Sequence, residues 1–231
     1  MLMSLVPNIL MGQRSVLIGG PDESVLRFDG YTSEKVVTAA FPENGSFTIE
    51  GWIAPLEYSF NISAIINRQE NFQRGFLLGI NHVGQLVGAI AAGGQWHTCL
   101  STDTIPLTVW SHIALTYILG DGLKLYINGK SSGNLIFSEQ PDLYPEGRIL
   151  LGKTQEKMSP VYTERKTSIM EKTWMRYSGL IGELKVSVLP LSDKEIQKEV
   201  LKVGMIGLKA VDFPQLPSVD ISMGTFGAFY T

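Results

Sequence analysis

Residues Thr108–Gly129 read TVWSHIALTYILGDGLKLYING, and this stretch decides the fold. Apolar and polar residues alternate with a period of two on both sides of Gly120-Asp121-Gly122, a pattern typical of half-buried β-strands. Asp-Gly and Asn-Gly pairs supply the positive φ angles that tight hairpin turns need. The stretch therefore predicts a β-hairpin.

The parity of the side chains predicts where this hairpin lies in its sheet. The first strand carries large side chains on both faces, with Trp110 and His112 on one and Leu115 and Tyr117 on the other. Large groups on both faces indicate an interior strand. The second strand alternates cleanly, so we expect one of its faces to meet solvent, the face that carries Lys124, Tyr126 and Asn128.

Four segments of the chain, taken in order, resemble the laminin-G-like domains of the concanavalin A-like lectin/glucanase jelly-roll class. They are Leu26–Gly30, Phe47–Pro55, the hairpin at Trp110–Lys130 and Gly179–Val186. The resemblance extends over about residues 24–200. It implies an all-β fold, a two-sheet antiparallel β-sandwich of the jelly-roll type, and the regular short strands and turns elsewhere favour the same class.

The ends of the chain divide it into three parts. Ser192-Asp193-Lys194-Glu195 forms a capping box, which predicts a short C-terminal helix over Asp193–Lys202. We expect an N-terminal extension over 1–23 and the jelly-roll domain over 24–203. Residues 204–231 are rich in Pro, Gly and aromatic groups, and we interpret them as a linker or the start of a following domain.

Composition excludes several functional classes. The 231 residues are 44% hydrophobic, enough for one large core, and the net charge of −3 gives no basic surface for nucleic acid. Cys99 is the only cysteine, so an intrachain disulfide and a cysteine zinc site are impossible. No run reaches the ~18 apolar residues of a membrane span. No leader is visible at the N-terminus, but the resemblance implies an extracellular or periplasmic protein.

Catalysis by this domain is not expected. Glucan-cleaving jelly rolls place two carboxylates about 5–5.5 Å apart around the glycosidic bond, in a strand of alternating acidic residues. The chain has no such strand, and Glu50 and Glu183 stand as single carboxylates. An unusual glycosidase would need two carboxylates that face each other across a cleft.

The resemblance also implies a structural calcium ion, because many relatives hold one between the early Phe-Asp-Gly turn and the closing strand. Asp29 matches the early ligand and Glu183 is the acidic residue in the later segment. Gly182 stands where the family often has an aspartate, so this chain departs from the pattern. The alternative is that Asp29 only caps a turn.

Sugar binding is the leading hypothesis for the loops, because a pyranose ring lies against an aromatic face while polar side chains meet its hydroxyls. The candidate ligand-binding residues are Gln95, Trp96 and His97 after Gly93-Gly94, Trp174 and Tyr177 in the long segment 153–178, and Arg68 and Arg74 in a polar loop. Trp52 and Trp110 follow strand parity and are expected in the core.

We therefore expect a non-catalytic carbohydrate-binding or substrate-positioning module, with a polysaccharide and an adjacent domain as partners, in a larger secreted glycoside hydrolase. The alternative is a structural or protein-interaction domain that packs against its neighbour without binding glycan. It predicts that the aromatic residues near Trp174 and Tyr177, or those of the C-terminal tail, are buried by another domain or chain.

Overall fold

A computed structural model describes residues 15–17, 25–30, 33–38, 45–59, 61–70, 73–143, 148–154 and 176–204. These residues form two antiparallel sheets that pack face to face, as the jelly-roll expectation requires. In chain order the elements are β1 (Ser15–Leu17), β2 (Leu26–Asp29), β3 (Lys35–Thr38), β4 (Phe47–Pro55), β5 (Ser63–Glu70), β6 (Arg74–Ile80), β7 (Gln85–Ala92), β8 (Gln95–Thr104), β9 (Ser111–Ile118), β10 (Gly122–Ile127), β11 (Lys130–Leu135), β12 (Arg148–Leu151), β13 (Ser178–Ser187) and helix α1 (Asp193–Gly204).

The seven-stranded sheet runs β1-β13-β4-β9-β10-β11, with β2 also paired to β13, and the six-stranded sheet runs β3-β12-β5-β6-β7-β8. The predicted hairpin is β9–β10, and β9 pairs with both β4 and β10, so the interior position is confirmed. Asn128 and Gly129 have φ angles of 50° and 76° and turn the chain from β10 into β11.

The core lies between the two sheets, and Gly88 of β7 marks one point where they approach closely. A Cβ atom at Gly88 of β7 would lie 2.5 Å from Leu115 Cδ1 and 2.8 Å from Leu125 Cδ2. These two leucines belong to β9 and β10 of the other sheet and are fully buried. The apolar side of the predicted hairpin therefore packs directly onto the backbone of β7.

Helix α1 packs on the outer face of the seven-stranded sheet. The Ser192 backbone N–H donates to Glu195 Oε2 (2.8 Å), so the predicted N-cap is confirmed. Ile196 packs on Ala114 and Tyr126, and the Tyr126 hydroxyl donates to Asp193 Oδ1 (2.7 Å). The expectation of a solvent-facing side on β10 is therefore wrong at Tyr126, which is 1% exposed because the helix covers it.

The edge strands β8 and β11 of the two sheets are joined through Ser132. The Asp103 backbone N–H donates to Ser132 Oγ (3.0 Å), and the Ser132 hydroxyl donates to Asp103 Oδ2 (2.8 Å). The Thr102 hydroxyl donates to the Ser132 carbonyl (3.0 Å). These contacts close the sandwich along one side.

Local boundaries differ from the sequence analysis at two places. β1 lies within the predicted N-terminal extension, yet Val16 pairs with Val186 of β13. β5 continues to Glu70, so the predicted polar loop at 67–74 is mostly strand. The predicted tail over 204–231 lies outside the described residues beyond position 204, and so does most of the long segment 153–178. No helix in the described part is long and apolar enough to cross a bilayer.

Gly88→Ala is expected to destabilise the protein by about 1–3 kcal/mol, because the added methyl group forces Leu115 and Leu125 to move. Gly182→Ala is the matched control, since its nearest contact would be an ordinary 3.4 Å to Trp52 Cβ, and we expect a change within about 0.5 kcal/mol. Urea unfolding of both variants measures the difference. Equal unfolding midpoints would contradict the close approach of the sheets.

Alkaline pH is expected to unfold the domain through its buried tyrosines. Burial, with a smaller effect from the Glu139 charge, raises the pKa of Tyr117 to about 12. Burial also raises the pKa of Tyr177 well above the usual value of about 10. Because folding raises these pKa values, the stability they contribute is complete below about pH 10 and is lost as the pH rises through 12. The phenolate absorbance of the buried tyrosines and the circular dichroism should change together. If the chain is still folded at pH 10–11 and its phenolate absorbance exceeds what the exposed tyrosines alone can give, the expectation is contradicted.

Candidate functional site

The first candidate site lies at the tight turn between β7 and β8. Gly93 and Gly94 have φ angles of 58° and 78°, which side chains rarely allow, so the two glycines make the turn possible. The Gly94 backbone N–H donates to Asp142 Oδ2 (2.9 Å), which fixes the turn against a segment 48 residues further on. The exposed Gln95 follows immediately and begins β8.

Trp96 and His97 lie on opposite faces of β8. Trp96 pairs with Ala91, is half-buried, and packs on a small apolar cluster on the outer face of the six-stranded sheet that includes Leu77 and Ala89. His97 instead pairs with Ile90 and stacks on Phe137, with ring centroids 4.0 Å apart. The two residues therefore do not form one ligand surface, because alternation along the strand separates them.

Two other predicted ligand residues are interior. Arg68 pairs with Phe76, so it lies on the core-facing side of β5, and it is 5% exposed. Tyr177 is fully buried, its ring packs edge-on against Phe28, and its hydroxyl donates to the Leu180 carbonyl (3.0 Å). The prediction that Tyr177 is an accessible loop aromatic is therefore wrong. Trp174 lies outside the described residues.

Arg74 is exposed at the same end of the six-stranded sheet as Gln95. The chain at Asp142 enters between β6 and β7 there, since the Gly75 N–H donates to the Asp142 carbonyl and the Asp142 N–H donates to the Ala91 carbonyl. Three strand spacings then separate Arg74 from Gln95, roughly 14 Å. Sequence reasoning missed Asp142, because only the fold brings it to the turn.

The second candidate site is a pocket on the outer face of the seven-stranded sheet, beside helix α1. Its lining is Glu50, Gly51, Trp52, His112, Glu183, Lys185 and Glu199. His112 and Glu50 are both buried, and their Nε2 and Oε2 atoms lie 3.5 Å apart. Within the described part of the chain, neither His112 Nδ1 nor Glu50 Oε2 has a hydrogen-bond partner.

Lys185 connects this pocket to the helix. Its Nζ atom lies 2.7 Å from Glu183 Oε1 and 3.4 Å from Glu199 Oε2. Partial burial acts to lower the pKa of Lys185, but the Glu183, Glu199 and Glu50 carboxylates together outweigh it and raise the pKa. The ammonium group therefore stays charged throughout the neutral range.

The two tryptophans assigned to the core are instead half-buried on this outer face. The Trp52 ring meets the His112 ring edge-on, with centroids 5.4 Å apart. Trp110 lies over the backbone at Gly182. Strand parity placed Trp52 correctly on the face opposite Phe47 and Ile49. The expectation that Trp52 and Trp110 lie in the core is wrong, because that face is the outer one.

The two predicted calcium ligands do not meet. Asp29 pairs with Ser178 across β2 and β13, so Glu183 lies five residues further along β13, roughly 15 Å away. Asp29 Oδ1 accepts from the Ser33 backbone N–H (2.9 Å), as a turn cap does, and Glu183 is bound by Lys185. The described residues contain no group of three or more metal-ligating side chains. Asp29 and Glu183 therefore do not fit a shared calcium site.

Comparison with known families gives a direct assignment. Residues 28–197 match the Laminin_G_3 family model, described as the concanavalin A-like lectin/glucanases superfamily, and this range exceeds half of the chain. The chain belongs to this superfamily. The resemblance drawn from the four segments is thereby confirmed. No curated protein sequence matches this lectin/glucanase-like chain.

Solved structures with a similar fold include two toxin binding domains and one domain of an arabinanase. The binding domain of botulinum neurotoxin serotype D has a TM-score of 0.59 at 15% identity, over 83% of this chain and 47% of that chain. The binding domain of Paraclostridial Mosquitocidal Protein 1 has a TM-score of 0.58 at 16% identity, over 83% of this chain and 46% of that chain. The third is domain 4 of AbnA, a GH43 extracellular arabinanase from Geobacillus stearothermophilus, in complex with arabinotriose. It has a TM-score of 0.53 at 15% identity, over 81% of both chains. The chain spans about half the length of the two toxin domains, and the likeness shows the fold.

Calcium is expected to leave the melting temperature unchanged, because Asp29 and Glu183 are each engaged elsewhere and lie roughly 15 Å apart. Thermal unfolding with added calcium and with a chelator measures this. The variant Asp29→Asn, which keeps the oxygen acceptor for Ser33, serves as the control. A higher melting temperature in calcium that disappears in Asp29→Asn would contradict the expectation.

Proposed function

We propose that this chain is a non-catalytic carbohydrate-binding or substrate-positioning module, with its glycan site at the β7–β8 turn. The observation that carries the proposal is Trp96, a half-buried indole anchored on the outer face of the six-stranded sheet. A sugar ring has an apolar face and a polar rim, so an indole suits its apolar face.

Polar groups extend the proposed site across the end of the six-stranded sheet. From the edge strand β8 towards β6, the spatial order is Gln95, Asp142 and Arg74, over roughly 14 Å. This spread favours an extended oligosaccharide over a single sugar. Asp142 already holds the turn through Gly94, so the Trp96 side chain is presented on a fixed backbone, which lowers the entropy cost of binding.

The proposed context is a larger secreted glycoside hydrolase. In the similar arabinanase, the domain is one part of an extracellular enzyme and is in complex with arabinotriose. The alternative role, as a protein-interaction domain that binds no glycan, has less support, because Tyr177 is buried by its own domain and not by a neighbour. The pocket around Glu50 and Glu183 encloses only about 10 Å³, too little for a glycosidic bond to lie between two carboxylates.

Affinity electrophoresis in gels that contain soluble polysaccharides, beginning with arabinan, tests the proposal. We expect retarded migration of the wild-type chain. Trp96→Ala should weaken binding by about thirtyfold, the effect of truncating a tryptophan that contributes about 2 kcal/mol. Trp96→Phe should lose less, because it keeps an aromatic face.

Leu100→Ala provides the matched control, since Leu100 lies on the same face of β8, four residues from Trp96, and is 48% exposed. It should bind as the wild type does. Migration that no polysaccharide retards would rule the proposal out, and so would retardation that Trp96→Ala leaves unchanged.

A further inference from the structure

The pocket beside helix α1 is lined by more carboxylates than ammonium groups. Glu50, Glu183 and Glu199 line it together with one lysine, Lys185. Lys185 lies within 3.4 Å of Glu183 and Glu199, whereas no described residue donates a hydrogen bond to Glu50 Oε2. A buried carboxylate oxygen without a donor is costly, so this atom favours a positively charged hydrogen-bond donor.

His112 lines the same pocket and is buried beside Glu50. Its side chain is 2% exposed, and Nε2 lies on the side of Glu50, at 3.5 Å. In the neutral ring with the proton on Nε2, Nδ1 is an acceptor, and it has no hydrogen-bond partner in the described part of the chain. The cavity is about 10 Å³, which holds one group the size of a water molecule. An ammonium group is of this size and offers three donors.

We propose that this pocket binds the protonated amine of an amino sugar, with the ammonium group directed at Glu50 and the sugar ring against Trp52. The cavity admits only the head group, so the body of the ligand lies at the rim, where the Trp52 indole is half-buried. An amino sugar carries its amine directly on the ring and can therefore contact both. A lysine side chain instead places four methylene groups between its ammonium group and its backbone, so it has no ring beside the ammonium group.

This site is separate from the proposed Trp96 site. It lies on the outer face of the seven-stranded sheet, whereas Trp96 lies on the outer face of the six-stranded sheet. Its ligand also differs in chemistry, because a charged amine replaces neutral hydroxyl groups as the decisive contact. Either site can therefore fail in experiment while the other holds.

Titration with a glucosamine hexamer, in which every amine is free, at a mildly acidic pH that protonates these amines, tests the assignment. The protein has three histidines, so the imidazole signals of His82, His97 and His112 can be followed separately by nuclear magnetic resonance. We expect saturable shifts of His112 and none of His82. The N-acetylated hexamer of equal length should cause no shift of His112. Equal shifts from both hexamers, no shift from either, or an equal affinity for a lysine peptide would overturn the proposal.

Variants locate the contact. Glu50→Gln keeps the shape and one acceptor oxygen but removes the charge, and it should weaken hexamer binding at least about tenfold, the size expected for one charged hydrogen bond. Asp121→Asn removes the same charge from an exposed carboxylate in the β9–β10 turn and should bind as the wild type does. A folded Glu50→Gln protein that binds normally would overturn the assignment, and the histidine titration of the wild type decides it if that variant fails to fold.

Discussion

The architecture depends on the contact between the backbone of β7 and the two leucines of the central hairpin. Gly88 has no side chain, so Leu115 and Leu125 pack directly onto its backbone and bring the sheets together at this point. The aromatic and aliphatic residues that surround this contact then fill the space between the sheets.

The two outer faces carry different chemistry. Helix α1 covers part of the seven-stranded sheet, and its contact with Tyr126 converts a predicted wet surface into a second, smaller core. Where that cover ends, Glu50 and His112 remain buried, and each has one side-chain atom without a hydrogen-bond partner among the described residues. The six-stranded sheet instead presents Trp96 along its edge strand. The two proposed sites thus lie on different outer faces of one sandwich.

Short-range patterns predicted most of the fold. Alternation identified the strands, dipeptide turns located the hairpins, and the capping box at Ser192 placed the start of the helix, because each depends on residues only a few positions apart. Contacts between distant segments could not be read in this way. The cover over Tyr126, the burial of Tyr177 and the arrival of Asp142 at the β7–β8 turn all join parts of the chain that alternation treats separately. Among the predicted sugar ligands that the structure describes, Gln95 and Arg74 are exposed and Trp96 is half-buried on the outer face, whereas Arg68 and Tyr177 are buried.

The link between β8 and β11 through Ser132 has a consequence for behaviour at high concentration. The last strand of a sheet exposes unpaired backbone groups that can recruit another chain and begin an aggregate. Here Ser132 and Asp103 occupy some of those groups, and the two terminal strands shield each other. A domain without any disulfide thereby gains protection against intermolecular β-pairing from one serine hydroxyl and the strand that carries it.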